Sequence, residues 1–398
     1  MKKLLVLGGA EKSLPVVRYA KSRRHAVVLC DRDKNSACRK LADEFIELST
    51  VEHAQIVDAA RPLGIDGVVS FGSDVNAVSA ARIAASLDLP GNPPDSVLAM
   101  VRKDLFRRFL AEHGFESPGS ASFASIEEAA ACADSMQLPV IVKPVDGAGS
   151  AGVTKLEDWS AMDVAFLAAL DASRERRVVI EEFIERSHPH MIGGDVFVLD
   201  GQVRFWGLLN SHRSCATAPF LPTGTSFPID LDGDRQQAVR ETIQRLVTVL
   251  GIRFGGLNVE LMFDWDGRLF VIELAPRNGG NQIPELLQLA TGVNLIEALV
   301  DAALGQPVQL SPCAENNYVS NYMLHSERAG SFVEVTLNEE IPPFVVEQIL
   351  SVSPGDQVRA FQRATDAVGT LFLRFRSAEE QRAALARISE LVEVHVGP

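Results

Sequence analysis

Hydrophobic positions near the N-terminus alternate between short apolar runs and longer stretches with helical spacing. The short runs are KLLVLGG, AVVLCD and DGVVSFG, and their length and continuity are typical of buried strands. The stretches between and after them place apolar residues at helical intervals: LPVVRYAKSRR, EHAQIVDAARPLG and NAVSAARIAASLDL. This alternation predicts a parallel, Rossmann-like α/β domain over residues 1–92, and the punctuating GNPP at residues 91–94 marks its end.

The pattern changes after this point, because longer strands mix with helices. Residues 93–310 contain a helix around DLFRRFLAEHG, a long helix at QQAVRETIQRLVTVLG, and strands at VIVKPV, VVIEEFI, DVFVLD and VRFWGLL. Residues 311–398 contain strands at QVRAFQR, TLFLRF and VEVHV and a helix at AEEQRAALARISELV. Both segments are expected to be α+β domains.

One predicted hairpin, NVELMFDWDGRLFVIEL, carries two glutamates. Asp266-Gly267 predicts a two-residue type I′ turn, which pairs Trp265 with Arg268 and places Glu260 opposite Glu273. Their Cβ atoms would lie about 5 Å apart, where like charges destabilise a sheet. A four-residue loop would make them diagonal neighbours on the same face. A divalent cation would remove the repulsion, and Mg²⁺ combines one or two carboxylates with nucleotide phosphates; the alternative is chance proximity on a solvated sheet face.

Two further segments have features that suit nucleotide binding. VKPVDGAGSAGV combines Lys143 with a glycine-rich loop whose backbone N–H groups can close over phosphates. The alternative is a glycine-rich hairpin turn with a surface lysine. In VVIEEFIE, acidic residues interrupt an apolar strand, and Glu181 can accept a hydrogen bond from an adenine amine; the alternative is an ordinary charged edge strand.

The segment GGAEKS at residues 8–13 lacks the pattern of either common phosphate loop. It is expected to be a tight turn that can hold a small acidic ligand.

Composition narrows the classes of partner. The formal net charge of −14 argues against nucleic acid or an anionic membrane surface as the partner. The five cysteines are scattered and form no CxxC pair, so we expect reduced thiols, no zinc site and a cytoplasmic location. No apolar run approaches the roughly 20 residues that a membrane helix needs.

Taken in order, the lysine, the glycine loop, EEFI, the facing glutamates and the E-x-x-x-R that ends at Arg277 resemble the ATP-grasp superfamily of carboxylate ligases. The resemblance covers nearly the whole chain. It implies a Rossmann-like pre-ATP-grasp domain (1–92), an ATP-grasp domain (93–310) with a lid subdomain at about 120–190, and a small C-terminal α+β domain (311–398). That last domain is similar to those of biotin carboxylase relatives and bacterial amino-acid ligases.

The resemblance also implies roles for individual residues. Lys103 and Lys143 would bind phosphates, and Arg277 would lie near the acyl phosphate, with Arg277 and Lys143 as the catalytic residues. The remaining nucleotide and metal positions implied are Gly147, Gly149 and Ser150 in the lid, Glu181, Glu182, Phe183 and Ile184 at the adenine, Asp195 at the ribose, and Glu260 and Glu273 at the metal.

The sequence departs from the superfamily pattern at two positions. Ala275 stands where an asparagine often follows the second glutamate, so Asn278, Asn258 or water is expected to complete the metal site. Asn281 stands where biotin carboxylases carry a glutamate, which favours an amine over bicarbonate as the second substrate. His212, Arg213 and Asn281 are the candidate substrate contacts.

The implied reaction is ATP-dependent ligation of a carboxylate to an amine. ATP and Mg²⁺, with Mn²⁺ as an alternative ion, would form an acyl phosphate that the amine attacks, releasing ADP and phosphate. Amino acids are the expected small-molecule substrates, and the resemblance makes a homodimer a candidate assembly, since related enzymes are commonly homodimers. Two alternatives stay open: a carboxylase that uses bicarbonate, and a non-catalytic nucleotide-binding protein.

Overall fold

The computed structural model describes residues 1–132, 136–215, 218–312 and 317–397. Cys313, one of the five cysteines expected to be reduced, lies outside these ranges. Cys30 and Cys38 are buried thiols outside any disulfide. Within the described ranges the strands form four separate sheets.

The N-terminal sheet has four parallel strands in the order β3-β2-β1-β4. Its strands are β1 (Lys3–Leu7), β2 (Ala26–Cys30), β3 (Glu44–Ile46) and β4 (Gly67–Ser70), and its helices are α1 (Leu14–Ser22), α2 (His53–Ala60) and α3 (Asp74–Ser86). Alternating strands and helices therefore build the predicted Rossmann-like unit. The Ser73 side chain accepts from the Asn76 N–H and caps α3.

A four-stranded antiparallel sheet follows in the order β5-β8-β6-β7. Its elements are β5 (Ser120–Phe123), α6 (Ile126–Cys132), β6 (Val140–Pro144), β7 (Thr154–Leu156), α7 (Met162–Ala172) and β8 (Val178–Glu182). Two helices precede it, α4 (Pro94–Val101) and α5 (Lys103–Glu112). This small sheet occupies the residues predicted for the lid subdomain.

The largest sheet has eight strands in the order β13-β12-β9-β10-β11-β14-β18-β16. These are β9 (Met191–Leu199), β10 (Gln202–His212), β11 (Gly224–Phe227), β12 (Phe254–Phe263), β13 (Leu269–Ala275), β14 (Tyr318–Leu324), β16 (Val345–Leu350) and β18 (Gly369–Phe375). Because β11 pairs with β14, the sheet continues across the predicted domain boundary at residue 310. The domain limits stay a prediction.

The C-terminal segment adds a three-stranded sheet in the order β17-β15-β19. Its elements are β15 (Gly330–Leu337), β17 (Gln357–Val358), α11 (Ala378–Ala386), α12 (Ile388–Leu391) and β19 (Val392–Gly397). Two expectations differ from the structure here. The predicted strand QVRAFQR contains only the two residues of β17, and the predicted last helix divides into α11 and α12.

Three more helices cover the large sheet: α8 (Gly233–Leu250), α9 (Ile283–Thr291) and α10 (Leu295–Ala303). α10 also packs on the N-terminal sheet, because Ile296 and Val300 join the hydrophobic cluster that contains Leu4 and Val6. Among the described residues no single helix is long and apolar enough to cross a bilayer. Only the α9–α10 pair, bent by 106°, reaches that length and hydropathy together.

Ile243, on the buried face of α8, is fully inaccessible to solvent and belongs to the largest hydrophobic cluster. We expect Ile243→Ala to lower the free energy of unfolding by about 2–5 kcal/mol, because it removes apolar contacts and leaves a cavity. Val249→Ala is the matched control on the same helix, since Val249 is 40% exposed, and it should change stability by less than about 0.5 kcal/mol. Urea unfolding measures both; equal effects would contradict the assigned packing of α8.

Candidate active site

The small sheet and the large sheet face each other across a cavity of about 390 Å³. α5, β6 and β8 border it on one side, and β9, β12 and β13 border it on the other. The cavity brings together twelve of the predicted site residues: Lys103, Lys143, Gly147, Gly149, Ser150, Glu181, Glu182, Phe183, Ile184, Arg213, Glu260 and Glu273. Residues from five separate parts of the sequence therefore line one space.

Glu260 and Glu273 pair directly across β12 and β13, as predicted. The predicted two-residue turn is wrong, however. The loop has three residues between Asp264 and Arg268; the Asp264 N–H donates to the Arg268 carbonyl over 3.1 Å, and the Gly267 N–H donates to the Asp264 carbonyl over 3.2 Å. The longer loop shifts the pairing by one residue, and a β-bulge at Ile272 on β13, opposite Glu260 and Leu261, shifts it back.

Arg213 lies against this pair of glutamates. Its Nη2 donates to Glu260 Oε1 over 3.0 Å, and its Nε donates to the Phe220 carbonyl over 3.1 Å. Burial raises the pKa of Glu260; Arg213 opposes that shift, and Glu273 adds to it. The two glutamates thus face each other with Arg213 bonded to one of them, and facing carboxylates supply the oxygen ligands that a divalent ion such as Mg²⁺ prefers.

A buried charge network closes the opposite wall of the cavity. Lys143 and Arg107 both donate to the carboxylate of Glu181, with Arg107 Nε 3.0 Å from Oε2. Burial and the nearby Arg107 and Lys103 lower the pKa of Lys143 to about 8, although Glu181 raises it. The pKa of Glu181 falls to about 2 because its two cationic partners outweigh the effect of burial.

Arg107 was not identified from the sequence. A signal was nonetheless present, because Arg107 follows Lys103 by one helical turn and shares a face of α5 with it. An arginine beside Phe106 and Leu110, on the apolar side of an amphipathic helix, indicates a buried carboxylate partner.

The glycine loop between β6 and β7 is held over the cavity. Gly149, Ser150 and Gly152 all have positive φ, at 64°, 57° and 70°, and a side chain at Gly152 would also strike α7. Lys103 Nζ donates to the Gly147 carbonyl over 2.7 Å, and Ser150 Oγ donates to the Phe220 carbonyl over 3.1 Å. The loop is therefore held by hydrogen bonds at two points, Gly147 and Ser150.

Asp195, predicted to lie near a ribose, is completely buried and does not line this cavity. It accepts hydrogen bonds from the Gly279 N–H at 2.8 Å, from Asn258 Nδ2 at 2.9 Å and from Asn278 Nδ2 at 3.2 Å. Burial raises its pKa to about 6. Asp195 holds the segment after β13 in place, away from the cavity, and its role near a ribose stays a prediction.

Asn278 and Asn258, the candidates for the missing metal ligand, both point to Asp195 and not to the pair of glutamates. Asn278 is 1% exposed, and its Oδ1 has no hydrogen-bond partner. Within the described ranges, no group of three or more His, Cys, Asp or Glu side chains is arranged to hold a metal ion. The structure therefore does not bring Asn278 to the predicted metal position.

Arg277 lies outside the main cavity, at a small cavity between the N-terminal sheet and the large sheet. Its Nε contacts Asp74 Oδ1 at 2.8 Å, which links the segment after β13 to the start of α3. Burial lowers its pKa, but Asp74 and Glu273 together raise it above the ordinary value. The same neighbourhood includes Lys12, whose pKa is lowered by burial and by Arg277. Arg277 is thus near Glu273 electrostatically while it pairs with the N-terminal domain.

His212 does not reach the main cavity either. His212 is the last residue of β10 and Arg213 follows it directly; successive side chains of an extended chain point to opposite sides, so the two side chains diverge. His212 Nε2 is 2.9 Å from Ser226 Oγ, and its ring is 4.2 Å from that of His190 in a second cavity of about 310 Å³. Burial lowers its pKa to about 3. Asn281, the third candidate, has φ of 53° and accepts from Asn321 Nδ2 through its carbonyl over 2.7 Å.

Comparison with known proteins shows what this chain is similar to. The family profile of the ATP-grasp domain matches residues 136–285. An uncharacterized protein, y4rH of Sinorhizobium fredii, is 25% identical over 375 residues, which cover 90% of this chain and 75% of that protein. The carbamoyl phosphate synthase large chain of Halomonas eurihalina is 26% identical over 242 residues, 58% of this chain; the chain spans only 21% of that enzyme.

Among solved structures, the crystal structure of L-amino acid ligase from Bacillus licheniformis superposes with a TM-score of 0.80. The match covers 100% of this chain and 99% of that chain at 20% sequence identity. The likeness therefore extends the shared fold from the matched domain to the full length of the chain.

Proposed function

We propose that this chain, which contains an ATP-grasp domain over residues 136–285, is an ATP- and Mg²⁺-dependent ligase that joins a carboxylate to an amine. The reaction would proceed through an acyl phosphate and release ADP and phosphate. Its substrates would be amino acids or similar small molecules. The observation that carries the proposal is the convergence of Lys103, Lys143, the glycine loop and the pair of glutamates on one cavity.

The nucleotide would lie between the two sheets. Lys103 and Lys143 would supply positive charge to its phosphates, and backbone N–H groups of the glycine loop would close over them. The amides of Glu182 and Phe183 already donate to the carbonyls of Gly119 and Pro139. Recognition of the adenine edge would therefore fall to the carbonyls of this segment and to the amide of Ile184.

Glu260 and Glu273 would hold the metal, because their facing carboxylates suit an oxygen-coordinated divalent ion. Mg²⁺ bound there would offset the negative charge of the phosphates. The main role of the chain in phosphoryl transfer would then be to position these charges and to exclude water. The glycine loop is suited to excluding water, because it contacts the segment around Phe220 and approaches Ala364 of the C-terminal region.

The reacting carboxylate and the amine would lie between the pair of glutamates and the N-terminal domain. Arg277, Asp74 and Lys12 are neighbours there, and Glu273 acts electrostatically on Arg277. A fixed guanidinium beside Glu273 is suited to stabilise charge that develops on an acyl phosphate.

Phosphate release from Mg-ATP tests the proposal directly. Wild-type protein would be incubated with amino acids and other small carboxylates in pairs, with and without bicarbonate, and reactive mixtures would be analysed by mass spectrometry. We expect release that requires two substrates and yields a condensed product. Release that depends on bicarbonate and one other substrate would instead identify a carboxylase. Nucleotide binding with no release in any mixture, including crude metabolite extract, would favour a non-catalytic protein.

The lowered pKa of Lys143 predicts the pH dependence of nucleotide binding. Lys143 is protonated below its pKa of about 8 and neutral above it, so the dissociation constant for Mg-ATP should rise as the pH increases from 7 to 9.5. The limiting rise is about tenfold per pH unit. Isothermal titration calorimetry measures it. Lys143→Arg is the control because arginine keeps its charge across this range; the same pH dependence in both proteins would exclude Lys143 as its source.

A further inference from the structure

Arg107 occupies an unusual position behind the candidate nucleotide site. It is 3% exposed and does not line the main cavity. It nevertheless donates to the two sheets that form the cavity walls: Nε reaches Glu181 Oε2 on β8 at 3.0 Å, and Nη2 reaches the Ile272 carbonyl on β13 at 2.8 Å. One planar guanidinium therefore links the two walls of the cavity without lining the cavity itself.

The contact on β13 lies at the β-bulge formed by Ile272. Val271 pairs with Leu261 and Glu273 pairs with Glu260, so Ile272 is the extra residue without a partner on β12. Arg107 donates to the carbonyls of both Ile272 and Val271, the latter at 3.4 Å. Because a bulge interrupts the ladder, its backbone groups need partners from elsewhere. Arg107 supplies them directly before Glu273 and so fixes the strand where it turns that carboxylate toward Glu260.

The contact on β8 gives Glu181 a second cation. Glu181 is 4% exposed, and a buried carboxylate is costly if it loses all its charged partners. With Lys143 as its only partner, Glu181 would hold that lysine in place. With Arg107 also bonded to it, Lys143 can move its ammonium from Glu181 to a phosphate oxygen, while Glu181 keeps a charged hydrogen bond.

We propose that Arg107 is a positioning residue that couples the two ends of the site: it holds Glu181 while Lys143 turns to the nucleotide phosphates, and it holds the β13 bulge that orients Glu273 toward the metal. This inference rests on the proposed nucleotide and metal sites and adds a residue that touches neither ligand. If the inference is correct, removing the Arg107 side chain changes both the affinity for the nucleotide and the Mg²⁺ dependence of its binding.

The test compares Arg107→Met, Arg107→Lys and the matched control Arg108→Met. Arg108 is the next residue on α5 and is exposed, so its replacement removes the same charge without touching Glu181 or β13. Three quantities are measured for each protein: the dissociation constant for Mg-ATP by calorimetry, the Mg²⁺ concentration that gives half-maximal nucleotide binding, and the midpoint of thermal unfolding. Arg107→Lys keeps a charge and serves as the measurable variant if Arg107→Met does not fold.

For Arg107→Met we expect the dissociation constant for Mg-ATP to rise about 10- to 100-fold, the range of a lost charged hydrogen bond, and the Mg²⁺ requirement to rise with it. Arg107→Lys should recover part of the nucleotide affinity but not the Mg²⁺ requirement, because an ammonium cannot span both contacts. Arg108→Met should match wild type. Loss of thermal stability with unchanged nucleotide and Mg²⁺ binding in the folded fraction would overturn the inference, as would wild-type values throughout.

The design separates this inference from the proposed function. If wild type binds Mg-ATP but joins no substrates, the ligase proposal fails while the binding measurements still test Arg107. If wild type binds no nucleotide, both the proposed function and the role of Arg107 are overturned.

Discussion

Replacing Glu273 by glutamine is expected to lower substrate-dependent phosphate release by about two to three orders of magnitude, the range seen when one charge-stabilising group is removed from an active site. The substitution keeps the size and shape of the side chain, and Glu273 contributes to the rise in the pKa of Glu260. The variant should therefore fold normally and lose only the second carboxylate of the proposed metal site. Steady-state phosphate release at saturating Mg-ATP measures the effect.

Asp266→Asn is the matched control for this variant. It removes one carboxylate from the same hairpin, but Asp266 lies in the exposed turn, where its side chain is 78% exposed. We expect its turnover to equal that of wild type. Glu273→Gln with undiminished turnover would remove the pair of glutamates from the mechanism, and equal losses in both variants would point to a general weakening of the hairpin.

The second large effect is expected at Arg277. Arg277→Met should keep the wild-type dissociation constant for Mg-ATP, since Arg277 does not line the nucleotide cavity. Turnover should fall by about two orders of magnitude, because the variant lacks the fixed cation beside the proposed acyl phosphate. Calorimetry and phosphate release, measured on the same preparation, separate binding from turnover.

Asp74→Asn distinguishes this role from a purely structural one. Asp74 pairs with Arg277 across the junction of the N-terminal domain and the large sheet, so either substitution breaks that ion pair. If Arg277 served only as a link between domains, the two variants would lose turnover equally. A clearly larger loss in Arg277→Met supports a direct role, and retained turnover in that variant would exclude one.

The pairing of Glu260 with Glu273 shows how a correct prediction can rest on a wrong intermediate step. The predicted two-residue turn was replaced by a three-residue loop in which Gly267, with φ of 79°, takes the left-handed position. That loop alone would have shifted the register by one residue and turned one glutamate to the other face. The bulge at Ile272 restored the pairing. Its stabilising partner, Arg107, is distant in sequence and was not found by reading the hairpin alone.

Three predicted positions could not be judged from spacing because they depend on which way a side chain points. Asp195 was expected near a ribose and Asn278 at the metal, yet the two side chains bond to each other, and Asp195 also accepts from the Gly279 N–H after β13. His212 adjoins Arg213, a residue of the cavity, but the two side chains diverge. Packing of helices and loops against each face decides these orientations, and a single sequence does not record it.

The sequence by itself determined the order of elements, the Rossmann-like start and the glycine loop, because these follow from local periodicity and turn chemistry within short segments. The tertiary structure alone decided how distant groups combine. It joined β11 to β14, so that the large sheet extends into the C-terminal region, and it joined Arg107 to Glu181 and Arg277 to Asp74. The physical reason is that such buried charges are stable only with partners that folding brings near, and those partners are 74 and 203 residues away along the chain.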